Sequence, residues 1–448
     1  MTTWSYRQAK GFIVRVCIVG AGSSGIAACQ VLQARGIDFD CYEVGSEVGG
    51  NWRYLNDNGM SSAYRSLHIN TSRQIMEYAS FPMSDEYPTY PNHAQIAHYF
   101  DTFVDHFGFR DRIQFRTTVT SVRRAQDGWD VTVRRRDADT DETHCYDAVL
   151  VANGHHWNAR LPEPAFPGAD TFTGRQMHSH DYKDFDGFEG KRVLVLGIGN
   201  SACDIAVETS KVSERTFLAM RRGAHVVPKY LFGIPTDHLT TSPLAQSPFL
   251  WTKRLGLSVL LRLSRGKITQ YGLPKPDHHV LAAHPTISDD LLTRLGHGDI
   301  AVKPNIERLD GDKVFFTDGS SEVIDVIVYC TGYKITFPFL DTTVINAVDN
   351  QIELFHRVVD PDNPGLYFIG LVQPLGAIMP LAEAQSEWVA DLLDGSATLP
   401  SRREMRREIA RYHRAVARRY VASKRHTIQV DFLEHLDELK KVRKATSV

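Results

Sequence analysis

A chain that carries the same glycine turn twice, ending once on an acid and once on arginines, has few folds open to it. The first copy is VRVCIVGAGSSGIAACQVLQARGIDFDCYEV. An apolar strand over Val14 to Val19 enters Gly20-x-Gly22-x-x-Gly25, an alanine-rich helix follows, and a second strand ends at Glu43. Gly20 permits the tight turn, Gly22 lets the backbone approach a pyrophosphate, and Gly25 allows close packing of helix on strand. The helix N-terminus then faces the phosphates. Glu43 lies about 20 positions beyond Gly20, where a carboxylate accepts from ribose hydroxyls. The turn alone also occurs in unrelated α/β domains; strand, helix and terminal acid together set this copy apart.

The second copy is KRVLVLGIGNSACDIAVETSKVSERTFLAMRRGAH. Lys191 to Leu196 read as a strand, and Gly197-x-Gly199-x-x-Ala202 repeats the turn with Ala in its third place. No acid follows the next strand; Arg221 and Arg222 stand there instead. A guanidinium suits a dianionic 2'-phosphate, which a carboxylate would repel, so this unit is expected to take NADPH. The bland alternative is two solvated arginines at a strand end. An acidic and a basic unit in one chain imply two different dinucleotides, and FAD is the redox mate expected on the acidic one. After Glu43, Gly49 and Gly50 can bring backbone beside a flavin, with Trp52 packed nearby.

At 448 residues the chain exceeds what one core organises. The expected fold is α/β, two Rossmann-like dinucleotide-binding domains with the second inserted into the first. The expected boundaries are 1–169 for the first part of the FAD domain, 170–325 for the NADPH domain, and 326–448 for the rest of the FAD domain with a C-terminal helical region. Apolar runs at Gln114 to Val122 and Trp129 to Arg134 suggest a small antiparallel insertion, and Ala148 to Val151 a strand returning to the first sheet. VIDVIVYCTGYK and the strand of PGLYFIG resemble that returning strand, so the first sheet is expected to be revisited twice after the insertion.

The net charge of -2 argues against a nucleic-acid partner. Cys17, Cys29, Cys41, Cys145, Cys203 and Cys330 include no CxxC and read as small buried hydrophobes in a reducing compartment. Arg7 and Lys10 precede a short apolar run that could pass for a signal peptide, but Arg15 interrupts it and it flows into the glycine turn. FLWTKRLGLSVLLRLSRGK is broken by Lys253, Arg254 and Arg262 and reads as a surface helix, not a transmembrane segment. The stretch from Ser401 to His426 reads as a basic helix with a solvated face. A cytoplasmic protein is expected.

Between the two units lies FTGRQMHSHDYK, which belongs to neither. Phe172, Gly174, His178 and Tyr182 there match the linker signature of the flavin-containing monooxygenases, Phe-x-Gly-x-x-x-His followed by an aromatic four places on. GGNW, the GIGNSACDIA turn, CTGYK and IGLVQPLGAIMPLAEAQ follow the same family pattern in order, so the chain resembles that family over most of its length. Tyr182 replaces the Phe or Trp of the strict signature; the related Baeyer-Villiger enzymes end theirs with Trp followed by Pro or Asp.

The resemblance implies oxygenation of soft nitrogen or sulfur atoms in small molecules, using NADPH, O2 and a C4a-hydroperoxide of the flavin. It implies Asn70 as donor beside the flavin, followed by Thr71, and Asn200 facing flavin and nicotinamide. Ser23, Asn51, Val119, Thr331 and Gln373 join Gly20, Gly22, Gly25, Glu43, Gly50 and Trp52 on the flavin side. Gly197, Gly199, Ser201, Ala202, Cys203 and Asp204 join Arg221 and Arg222 on the NADPH side. The linker is expected to be a strap with His178 mainly structural, no metal is called for, and the resemblance allows a homodimer. Baeyer-Villiger oxygenation of ketones and electron transfer to a protein partner stay open; a disulfide reductase would need a cysteine pair that the sequence lacks.

Overall fold

The computed structural model describes residues 14–241, 249–421, 423 and 427–446; Arg7 and Lys10, and parts of the basic C-terminal stretch, lie outside them. The chain divides into two compact units, residues 1–63, 67–158 and 334–448 in one, and 64–66 with 159–333 in the other.

The first unit begins with β1 (Arg15–Val19), buried from its second residue, which runs into the glycine turn and α1 (Ser23–Ala34). Gly25, Ile26, Ala27, Ala28 and Cys29 form most of the buried face of α1, side chains small enough to bring the helix close to the sheet. β2 (Asp38–Tyr42) pairs in parallel with β1, Val19 opposite Tyr42. α2 (His93–Phe107) starts on a capping box made by Asn92 and Gln95. β3 (Ile113–Gln114) extends the sheet beyond β2. β4 (Thr117–Ala125), β5 (Gly128–Arg135) and β6 (Glu142–Tyr146) form a separate antiparallel sheet around fully buried Trp129. β7 (Ala148–Val151), all apolar and buried, returns to the other side of β1.

In the second unit β8 (Arg175–His178) and β9 (Arg192–Leu196) precede α3 (Asn200–Thr209) and β10 (Arg215–Ala219). α4 (Leu250–Arg265) is the segment read as a surface helix, and Leu261 is its buried side chain. No helix among the described residues is long and apolar enough to cross a membrane. β11 (Thr286–Ile287), β12 (Ile300–Lys303) and β13 (Val326–Tyr329) follow. The sheet is wholly parallel, in the order β12-β10-β9-β13-β8.

Back in the first unit, β14 (Leu366–Phe368) pairs with β7 and completes a parallel sheet ordered β14-β7-β1-β2-β3. β15 (Gln373–Leu375), α5 (Met379–Leu393), α6 (Arg402–Arg419), β16 (Gln429–Asp431) and α7 (Phe432–Thr446) close the chain. β16 pairs with β15, so the C-terminal segment holds the short strand that begins at Gln373. In both sheets the order reverses beside the strand that leads into the glycine turn. That reversal opens the crevice where doubly wound sheets take dinucleotides.

Two expectations, on sheet membership and on cysteine burial, are corrected. The first sheet is revisited once, by β14; Val326–Tyr329 lies in the sheet of the second unit, between β9 and β8. The two compact units divide at 158/159 and 333/334, and within the second Pro167 accepts from Leu309 N–H and β13 pairs with β9; the sequence suggested 169/170 and 325/326 for the domains. Of the six cysteines, Cys145 is exposed, its thiol donating to Asp130, and Cys330 is half-buried.

Arg357 joins the helices of the C-terminal segment to the core. Its buried guanidinium donates to Glu438 on α7 (2.5 Å) and Glu408 on α6 (3.4 Å), and lies 4.2 Å from the centroid of the Tyr412 ring. His356 and His435 each lie 2.7 Å from a Glu438 oxygen. His356, Glu408 and Glu438 are close enough to hold a metal ion, but the guanidinium already supplies the cation between the two carboxylates. His356 and Arg357 both have left-handed backbone, φ 46° and 63°, at about 1–2 kcal/mol each. The ion pairs offset that strain. Burial alone would raise the Glu438 carboxyl, yet hydrogen bonds from His356 and His435 and the Arg357 charge hold it far below the carboxylate range. A depressed carboxyl stabilises the fold fully above its unfolded pKa of about 4.3, and that contribution fades as pH falls below it. Arg357→Met, which strands two carboxylates, is expected to cost about 3 kcal/mol in urea unfolding at pH 7, less than for a fully sealed pair because Glu438 is partly exposed. The wild-type stability should decline below about pH 4.3 more steeply than that of the variant.

Candidate active site

Each unit carries a ligand-ready helix N-terminus. In the first unit α1 starts at Gly22 with no side-chain cap and no acid in its first turn, so its free N–H groups and positive dipole end face outward. Gly50 approaches it so closely that a β-carbon there would lie 3.1 Å from the Gly22 Cα. Glu43, buried, spans the turn: one carboxylate oxygen accepts from Ala21 N–H and the other from Gly45 N–H, both at 2.7 Å. The oxygen facing Gly45 also accepts from the Asn58 amide (3.4 Å), whereas the one facing Ala21 keeps a lone pair for a ribose hydroxyl. These residues fit an anionic dinucleotide with an unsubstituted ribose, as FAD has.

The remaining flavin-side candidates are placed as follows. Ser23 offers its carbonyl to Tyr78 (2.6 Å), and the Asn51 side chain accepts from Ser62 N–H (2.7 Å), tying the GGNW turn to the next loop. Trp52 is half-buried against the main core. Asn70, half-buried, and Thr71, buried, sit on a loop fixed by Ile69 N–H to Pro91 and Arg73 N–H to Thr89. Val119 turns its side chain into a core cluster and pairs with Val133 across β4 and β5. Gln373 is half-buried on β15, its carbonyl accepting from Gln429. Thr331 belongs to the second unit, its hydroxyl donating to the Arg160 carbonyl.

In the second unit α3 likewise starts at a glycine, Gly199, without a side-chain cap or an acid in its first turn. Gly197 has φ 140° and leaves no room for a β-carbon, which would lie 2.8 Å from the Cys330 carbonyl. Arg221 and Arg222 are exposed just past β10, with Arg222 3.9 Å from Asp277. Ser201 is half-buried in the first turn, whereas Ala202 and Cys203 are fully buried and their side chains belong to the helix packing. Burial raises the Cys203 thiol well above its usual value, so it is inert.

Along α3, Asn200, Asp204 and Glu208 recur every fourth residue and so form one polar stripe. Each is met by a different segment. Asn200 Oδ1 accepts from Ile287 N–H of β11 (2.8 Å). Asp204 accepts from the Tyr64 hydroxyl (2.5 Å) and Glu208 from the Tyr182 hydroxyl (2.7 Å), and the two tyrosine rings meet edge-on at 6.1 Å. Tyr182, fully buried, is therefore the anchor of the FTGRQMHSHDYK strap. At its other end Phe172 enters a core cluster, and a β-carbon at Gly174 would lie 2.7 Å from the Asp325 carbonyl. His178 closes β8, buried, with Nδ1 accepting from His180 N–H (3.0 Å); burial lowers its pKa to about 4, so the ring is neutral. Tyr64 and Glu208 were not anticipated from the sequence. The four-residue spacing on α3 was the available signal for Glu208, and nothing local marks Tyr64.

The description "Flavin-binding monooxygenase-like" belongs to the family model that matches residues 13–447. Flavin-containing monooxygenase 5 of Homo sapiens is 39% identical over 442 residues, 95% of this chain and 82% of that one. Flavin-containing monooxygenase 3 of Homo sapiens is 35% identical over 446 residues, with the same coverage. Among solved structures, S-allyl-L-cysteine S-oxygenase from Allium sativum is similar with a TM-score of 0.72 and 25% identity, over 97% of this chain and 89% of that one. With two doubly wound units and this match along nearly its whole length, the chain belongs to the flavin-binding monooxygenase-like family and is an FAD-dependent monooxygenase.

Proposed function

We propose that the protein uses NADPH and dioxygen to oxygenate soft nitrogen or sulfur atoms of small molecules. The observation that carries this reading is the pair of uncapped glycine N-termini, one backed by buried Glu43 and the other by exposed Arg221 and Arg222. Two coenzymes of different ribose chemistry fit that pair. Bound FAD, once reduced, supplies the activation of dioxygen.

The protein's own part is binding, orientation and exclusion of water. The α3 N-terminus binds the NADPH pyrophosphate, and Arg221 and Arg222 bind its 2'-phosphate. The α1 N-terminus and Glu43 bind the FAD pyrophosphate and ribose. Asn70 presents a side-chain amide donor from a loop held on both sides by backbone bonds. Asn200 acts through the backbone it fixes at Ile287. No general base is required on the substrate, since an amine or thioether attacks with its own lone pair. The S-oxygenase named among the similar structures is consistent with sulfur as one target.

Purified protein incubated with NADPH, labelled dioxygen and a tertiary amine or a thioether is expected to form labelled oxide, with little hydrogen peroxide released. Transfer of label to a cyclic ketone in place of the amine and thioether, or reduction of a dye without oxide, would overturn the assignment. Asn70→Ala should keep bound flavin but divert most of the NADPH oxidised to peroxide; normal coupling would remove Asn70 from its role. Arg221→Ala is expected to raise the KM for NADPH about tenfold or more and leave that for NADH nearly unchanged, as loss of one charge-assisted phosphate contact requires.

A further inference from the structure

The three polar residues along α3 are not equivalent. Asn200 Oδ1 is taken by the Ile287 N–H. Glu208 is buried, with the hydroxyl of fully buried Tyr182 on it. Asp204, one turn below the uncapped N-terminus, keeps an exposed edge although the residues on either side of it are buried. Its hydroxyl partner comes from 140 positions away in sequence. Tyr64, buried, belongs to the excursion of residues 64–66 into this unit, which Arg65 pins by its N–H to the Lys183 carbonyl (2.7 Å) and its guanidinium to Asp184 (2.7 Å).

Resting on the reading of this unit as the NADP unit, we propose that Tyr64 is a positioning residue for the nicotinamide coenzyme. Its hydroxyl fixes the Asp204 carboxylate as the acceptor for a neutral donor of bound NADP, a ribose hydroxyl or the carboxamide N–H. A carboxylate accepts and a carboxylic acid does so poorly, so the contact exists while Asp204 is ionised. The groups around it are Tyr64, Lys229, Glu208, Asp290, Cys203 and Cys330. Burial raises Asp204 to about 6, against the opposing pull of the Tyr64 hydrogen bond and the Lys229 charge. Affinity owed to Asp204 is therefore present above about pH 6 and lost as pH falls through it. Without the Tyr64 hydroxyl the carboxyl titrates at higher pH, and less of it is ionised at pH 7.

The test is calorimetric titration of the FAD-loaded full-length protein with NADP+ between pH 5 and 8. The coenzyme 2'-phosphate titrates in the same range, near 6. The readout is therefore the difference between wild type and Asp204→Asn. Wild type is expected to bind about tenfold more tightly at pH 8, the worth of one hydrogen bond to a charged group, with the two converging at pH 5. Tyr64→Phe should weaken binding at pH 7 and move the midpoint of that difference upward. Tyr182→Phe, which removes the neighbouring hydroxyl from the same helix, should lower the unfolding midpoint without moving the pH profile. Equal binding by wild type, Tyr64→Phe and Asp204→Asn at every pH overturns the inference, as does an identical shift in Tyr182→Phe, which would mean general loosening of α3. Should Tyr64→Phe not fold, Asp204→Asn decides alone by the same comparison. Wild type that binds no NADP+ at any pH overturns the proposed function as well; binding that ignores these substitutions overturns this inference only.

Discussion

Gly25 has no room for a side chain. A β-carbon there would lie 1.8 Å from the Gly20 carbonyl oxygen, so the first turn of α1 rests directly on the loop that precedes it. That contact sets how close helix and central strand lie, and the arrangement of the first unit follows from it. β2 and β7 flank β1, and Glu43 reaches from the end of β2 to hold the loop from its other side. The second unit repeats the device with the weight moved. Its turn leans at Gly197 on the carbonyl of Cys330, just beyond β13. The requirement is steric and local in both cases, and both helix N-termini are left bare as a consequence.

Because that requirement is local, the sequence displayed it. Strand, turn, helix and second strand could be written down for both units before any tertiary fact was known, together with the acid at Glu43 and the arginines at 221 and 222. Sheet membership was not legible in the same way. Val326–Tyr329 and Leu366–Phe368 are both continuous buried apolar runs, and such a run records burial on two faces without naming its neighbours. The two strands went to different sheets. Cys145 misled for a related reason: it lies in a strand whose alternation turns it outward.

Individual site residues divide along the same line. Asn51 and Asn200, expected from the sequence to meet the coenzymes, each also have the side-chain oxygen engaged by a backbone N–H, a local bond that spacing alone does not reveal. Cys203 sits in the fingerprint yet packs inward, since the face of a helix that a residue occupies depends on the helix's neighbours. The strap is clearer in structure than in sequence. Its signature residues do separate work: Phe172 enters a core, Gly174 passes close to a carbonyl, His178 stays neutral and buried, and Tyr182 bonds to Glu208. A pattern of four spaced residues is thus a record of four packing demands.

The excursion of residues 64–66 bears on how such chains can be recombined. An exchange of nucleotide units between relatives would ordinarily cut at two points, here near 158 and 333. That cut would leave behind the phenol on Asp204 and the arginine on Asp184, both contributed by sequence that precedes the excised piece by more than ninety positions. A transplanted segment would inherit its recipient's version of these three residues, so compatibility at that short stretch counts alongside similarity across the exchanged piece in whether a chimera assembles its second unit.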